Sequence, residues 1–117
     1  GQLLLNDRDE FPGAELVPVV VDWRAWKKLH VEFEIDRPAT LLVTIRDQRS
    51  TNGYSERFNA EREFGAGRHR WEWRLSEIEK TPGGKDLDLS KIDSINFFVD
   101  RREWKTRINV VRVLLGD

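Results

Sequence analysis

Residues 28 to 35 read Lys-Leu-His-Val-Glu-Phe-Glu-Ile, which puts Leu29, Val31, Phe33 and Ile35 on one side of an extended chain and Lys28, His30, Glu32 and Glu34 on the other. A helix would scatter those apolar residues around its axis, so a half-buried strand is predicted. Trp71, Trp73 and Leu75 alternate with Arg70, Glu72 and Arg74 in the same way. Residues 39–48 place Leu41, Val43 and Ile45 opposite Leu42, Thr44 and Arg46, and the short connection Asp36-Arg37-Pro38 predicts an antiparallel pairing with the strand before it. Tyr54, Phe58 and Phe64 mark another extended stretch, and residues 93–99 set Ile95, Phe97 and Val99 against Phe98 on the reverse side. Residues 107–115 are apolar on both faces, the mark of a central or covered strand. Residues 2–5 and 15–21 are shorter strand candidates around a Phe11-Pro12-Gly13 turn. About seven or eight strands, with turn signals about every ten residues, predict an all-β antiparallel sandwich or jelly roll. The one helical signal is Ser76-Glu77-Ile78-Glu79, a capping box stopped by Thr81-Pro82-Gly83-Gly84. A chain of 117 residues with 38% hydrophobic content supports one core, so residues 1–117 are expected to form a single domain. Its initial Gly suggests a piece of a larger protein.

The chemistry of catalysis is missing from this pattern. Cysteine is absent, only His30 and His69 are histidines, and no Gly-x-Ser-x-Gly elbow surrounds any serine. His30 is expected on a sheet surface and His69 in solvent. Gly83-Gly84-Lys85 lacks the earlier glycine and the following Ser or Thr of a phosphate loop. Asp86-Leu87-Asp88-Leu89-Ser90 opens like a calcium loop, but Lys91 stands where Gly should turn the chain and Phe97 where a bidentate Glu should close it. No enzyme activity, cofactor or metal is therefore expected. A net charge of -1 gives no overall field to attract nucleic acid, and no apolar run is long enough for membrane insertion.

Aromatic and arginine residues carry the remaining information. Trp71 and Trp73 belong with the core face, and Trp23 and Trp26 close one end of the sandwich. Trp104 lies in the charged run Asp100-Arg101-Arg102-Glu103-Trp104-Lys105 and serves either as an exposed platform or as a lid over the core. Arginine supplies a planar fork of donors suited to polar sugar edges. The same arginines are equally suited to cross-strand ion pairs with Asp47, Glu56, Glu61 and Glu63.

A series of motifs in order resembles bacterial carbohydrate-binding-module-like domains of the galactose-binding jelly-roll type. They are Phe11-Pro12-Gly13 with Leu16, Asp22-Trp23-Arg24-Ala25-Trp26, Ile45-Arg46-Asp47, Tyr54-Ser55-Glu56-Arg57-Phe58-Asn59, residues 67–78, and Leu87-Asp88-Leu89-Ser90-Lys91-Ile92. The resemblance implies a non-catalytic accessory domain of an extracellular or periplasmic envelope protein. Asn109 and Val110 stand where relatives carry an Asp pair that holds structural calcium, which argues against that ion. On this reading a glycan or related polar ligand binds a sheet face or adjoining loops. Tyr54 and Trp104 would stack, while Arg46, Asp47, Arg57, Asn59 and Asp100 would hold hydroxyls. The alternative is a structural module that docks a partner domain, or a second copy, through a sheet edge without affinity for sugar.

Overall fold

The computed structural model describes residues 2–3, 15–49, 53–100, 102 and 105–117. Among them, eight strands form two four-stranded antiparallel sheets: β1 (Gln2–Leu3), β2 (Glu15–Leu16), β3 (Lys28–Ile35), β4 (Ala39–Asp47), β5 (Phe58–Phe64), β6 (Gly67–Arg74), β7 (Ile92–Val99) and β8 (Ile108–Gly116). One sheet has the order β1-β8-β3-β6 and the other β2-β7-β4-β5. A 3-10 turn covers Tyr54–Glu56, and a single short helix, α1, covers Leu75–Ile78.

Alternation accounts for the two layers. Leu29, Val31, Phe33 and Ile35 of β3 face Leu41, Val43 and Ile45 of β4 across a core that also holds Ile95, Phe97, Val110 and Val113. The apolar strands β3, β4, β7 and β8 lie inside the sheets, while the charge-rich β5 and β6 form edges. Along the β5–β6 side, aromatic rings from opposite layers interlock: Phe58 with Trp73 at 5.7 Å, Phe64 with Trp71 at 5.2 Å and Phe33 with Phe64 at 4.9 Å between centroids. Trp23 closes one end completely buried, its indole donating to the Val20 carbonyl at 2.8 Å.

Several expectations are corrected. β3 and β4 are both strands, but they do not pair; each belongs to a different sheet, because the Asp36–Pro38 connection crosses between layers. The backbone amide of Arg107 donates to the Asp36 carboxylate at 2.8 Å and fastens that crossing beside the start of β8. The capping box does not form: α1 begins at Leu75, whose amide donates to the Lys27 carbonyl, and Ser76 makes no cap bond. His69 is half-buried, not fully in solvent. It points into the core side, with its ring 4.9 Å from that of Phe64 and its Nε2 2.6 Å from the Gly65 carbonyl. His30 does lie on an outer sheet face, yet it is buried there, its Nδ1 2.7 Å from Glu72 and 2.8 Å from Arg70. The strand at 15–21 shortens to Glu15–Leu16, and the rest of the 2–5 strand and the Phe11-Pro12-Gly13 turn lie outside the described residues.

Candidate functional site

The outward side of the β2-β7-β4-β5 sheet carries the residues left over once the core face is filled. On β4 these are Thr40, Leu42, Thr44 and Arg46; their neighbours on β7 are Phe98, Asn96 and Ser94, and on β5 Glu61 and Asn59. Phe98 lies opposite Leu42 and remains 41% exposed, an aromatic surface in the middle of a polar sheet face. Asn96 sits beside it, and its side-chain amide makes no hydrogen bond within the described residues. From Thr40 to Arg46 the face runs roughly 20 Å at the usual rise per residue.

Arg46 ends this face under tight control. Its Nε donates to Ser94 Oγ at 3.1 Å and its Nη2 to Asp93 Oδ2 at 3.2 Å, with Glu15 at 3.8 Å. Asp93 is the extra residue of a β-bulge in β7, since Arg46 pairs with Ser94 while Asp47 pairs with Ile92. The bulge turns Asp93 toward the guanidinium, as bulges re-aim single side chains. Asp47 falls on the inner side and is only 4% exposed. Its carboxylate accepts from the amide of Asp88 at 2.7 Å, from the amide of Arg49 at 3.0 Å and from the Arg49 guanidinium at 3.4 Å.

The 3-10 turn places Tyr54 beside the start of β5, 64% exposed. Asn59 holds that turn in shape: its amide donates to the carbonyls of Tyr54 at 3.0 Å and Arg57 at 2.8 Å, and its Oδ1 accepts from Arg57 Nε at 2.9 Å. The guanidinium of Arg57 is thereby fixed next to the phenol-bearing turn.

Five of the residues singled out from sequence, Arg46, Asp47, Tyr54, Arg57 and Asn59, therefore meet at one end of the sheet. Asp100 is at the other end, its amide donating to the Thr40 carbonyl at 3.2 Å. Its carboxylate accepts from the amide and Nε of Arg102 at 3.0 and 3.2 Å, and these hydrogen bonds hold it below the usual carboxylate range. Trp104 lies outside the described residues. Asp47 and Asp100 share one local device, in which an aspartate accepts the amide two residues ahead and grips an arginine there; Asp22 and Arg24 repeat it. The Asp-x-Arg spacing was the available sequence signal for that role. Phe98 was the residue sequence reasoning passed over, although its reverse-side position was visible in the alternation. Asp47 pairs with an arginine as expected, Arg49, while Arg46 with Asp93 and Arg49 with Asp88 are partners the sequence did not point to.

Among the described residues no group of three or more His, Cys, Asp or Glu is placed to hold a metal ion, and no helix is long and apolar enough to cross a membrane.

No protein-family profile and no curated protein matches the sequence. Solved structures do share its fold. A family 11 carbohydrate-binding module from Clostridium thermocellum, in complex with a beta-1,3-1,4-mixed-linked tetrasaccharide, superposes with a TM-score of 0.58 at 18% identity over 92% of this chain and 73% of that one. The module CtCBM11, studied in solution, gives a TM-score of 0.62 at 17% identity, covering 98% and 80% of the two chains. An exo-beta-agarase matches at 0.58 and 18% identity over 88% of this chain but 18% of its own length. The architecture is thus the jelly roll of carbohydrate-binding modules.

Proposed function

We propose that this domain, built on the jelly roll it shares with carbohydrate-binding modules, is a non-catalytic module that binds a glycan along the outward face of the β2-β7-β4-β5 sheet. The observation that carries this reading is the exposed Phe98–Leu42 surface bordered by polar groups: Asn96 beside it, and the hydrogen-bonded Arg46, Arg57 and Asn59 toward one end. A pyranose has an apolar C–H face and a hydroxylated edge, so it pairs with an aromatic ring and a planar donor at the same time. Tyr54 extends the aromatic surface at one end, and Trp104 is the second stacking residue expected from the sequence. Arg57 and Arg46 donate to hydroxyls. Asn59, Asp47 and Asp100 act mainly as positioning residues, because their polar atoms already hold the 3-10 turn, the 86–88 segment and Arg102. A polysaccharide ligand puts the domain outside the cell or in the periplasm, as an accessory part of a larger protein.

Calorimetry of the domain against a panel of neutral oligosaccharides tests the reading. We expect a ligand bound without turnover, its affinity reduced about tenfold or more by Phe98→Ala, Arg57→Ala or Trp104→Ala at unchanged fold. Binding untouched by all three substitutions, or no binding across the panel, overturns it.

A further inference from the structure

On the outward face of the other sheet, β3 and β6 pair in strict register, and their charges run as a ladder. Glu34 lies opposite Arg68, Glu32 opposite Arg70, and His30 opposite Glu72. The last rung breaks the rule, with Lys28 opposite Arg74. Like charges directly across a strand pair repel and destabilise it. Among the described residues neither side chain forms an ion pair, and neither does the adjacent Lys27. Other arginines close by, such as Arg68, Arg70 and Arg24, each have a carboxylate within 4.0 Å.

These three cations border an open groove of about 420 Å³. Trp26, Leu75 and Leu89 supply its apolar wall, and both Trp26 and Leu89 pack on the core behind it. The indole N–H of Trp26 makes no hydrogen bond within the described residues. The rim is rigid, since Trp26 N donates to the Trp23 carbonyl, Lys27 N to Gly116 and Leu75 N to Lys27, at 3.0, 2.9 and 2.8 Å. Glu79 also lines the groove, so three positive charges face one negative charge.

We propose that this groove is a second binding site, distinct from the sheet face described above, which takes a pyranose unit bearing a carboxylate. Trp26 receives the C–H face of the ring, and Lys28 and Arg74, with Lys27, neutralise the carboxylate. Stacking needs a flat, fixed aromatic and the acid needs the unopposed cations; this groove holds both. A flexible acidic peptide would use the charge but leave the indole wall unmatched. The proposal goes beyond the sheet-face reading, as none of its residues lies on that face.

The test is titration with tetragalacturonate, followed by the backbone and indole N–H signals of residues 26–28 and 74–76, together with calorimetry. Its methyl-esterified form keeps the rings and removes the charge, and tetraglutamate keeps the charge and removes the rings. We expect tetragalacturonate to bind, and to bind at least about tenfold more tightly than either control. Lys28→Glu with Arg74→Glu, both outward-facing, should abolish that preference, while Phe98→Ala and Arg57→Ala leave it intact. Absence of binding, equal binding of the ester or of tetraglutamate, indifference to the charge reversals, or loss through the sheet-face substitutions each overturns the proposal. Circular dichroism of every variant separates misfolding from loss of the site; should the double reversal misfold, Lys28→Gln alone must still weaken binding. Failure of neutral sugars at the sheet face leaves these outcomes unchanged, so the two readings fail independently.

Discussion

Asp22 and Arg24 flank the buried Trp23, and their mutual geometry is the tightest ion pair described in the chain that is bidentate: Oδ1 accepts from Arg24 Nε at 2.9 Å and Oδ2 from Nη2 at 2.8 Å. The arginine side chain, helped by its backbone amide, lowers the Asp22 pKa from 3.8 to about 2. Asp88, bonded to Ser90, and Asp100, bonded to Arg102, are lowered as well. A depressed carboxylate stabilises the folded state above its unfolded pKa, and that contribution fades as pH falls through the folded value. For Asp22 the window lies between 3.8 and about 2, so these clips should persist in moderately acidic solution. Carboxyl-carbon NMR of the native protein should find Asp22 titrating near the lower limit, and Arg24→Ala should return it toward 3.8. A native value already close to 3.8 would show that the clip does not persist in solution.

At the level of elements, alternation identified β3, β4, β6 and β7, and a run apolar on both faces identified β8, because which faces a strand buries is a local property of its sequence. It could not identify partners. Which strand lies alongside which depends on how a connection travels, and the Asp36–Pro38 connection changes layers where a short turn suggested a hairpin. The bulge at Asp93 was hidden for a related reason: an inserted residue is defined only against the strand beside it. Of the candidate residues, Arg46, Asp47, Tyr54, Arg57 and Asn59 lie toward one end of the sheet, but which of them could present a group and which only position one required their hydrogen-bond partners. Tyr54 illustrates this. Its turn is braced by the 81–84 turn, with Gly83 N donating to Ser55 O at 2.9 Å, and a Cβ on Gly83 would stand 2.7 Å from that oxygen. Gly83→Ala should therefore displace the turn at a cost of about 1–3 kcal/mol. A chemical denaturation series should show that loss, with NMR shifts concentrated at residues 54–57 and 81–84. An unaltered Tyr54 environment would mean that the two turns are not coupled.

The molecule as a whole is assembled from partners far apart in sequence: β1 and β3 both pair with β8, and β2 with β7. Each pairing must close a long loop before any strand hydrogen bond forms, so refolding in the millisecond-to-second range is expected, unlike the microsecond folding of small helical bundles. The same arrangement leaves Gln2 directly across from Leu115. Residues 2–3 and 114–115 therefore lie side by side at one corner of the sandwich, close enough to be joined by a short linker of about four residues. The chain is in effect a nearly closed loop, whose point of opening can be moved. A circular permutant that joins Asp117 to Gly1 and begins at Ala66, in the exposed turn between edge strands β5 and β6, should recover the same sheets and the same ligand response.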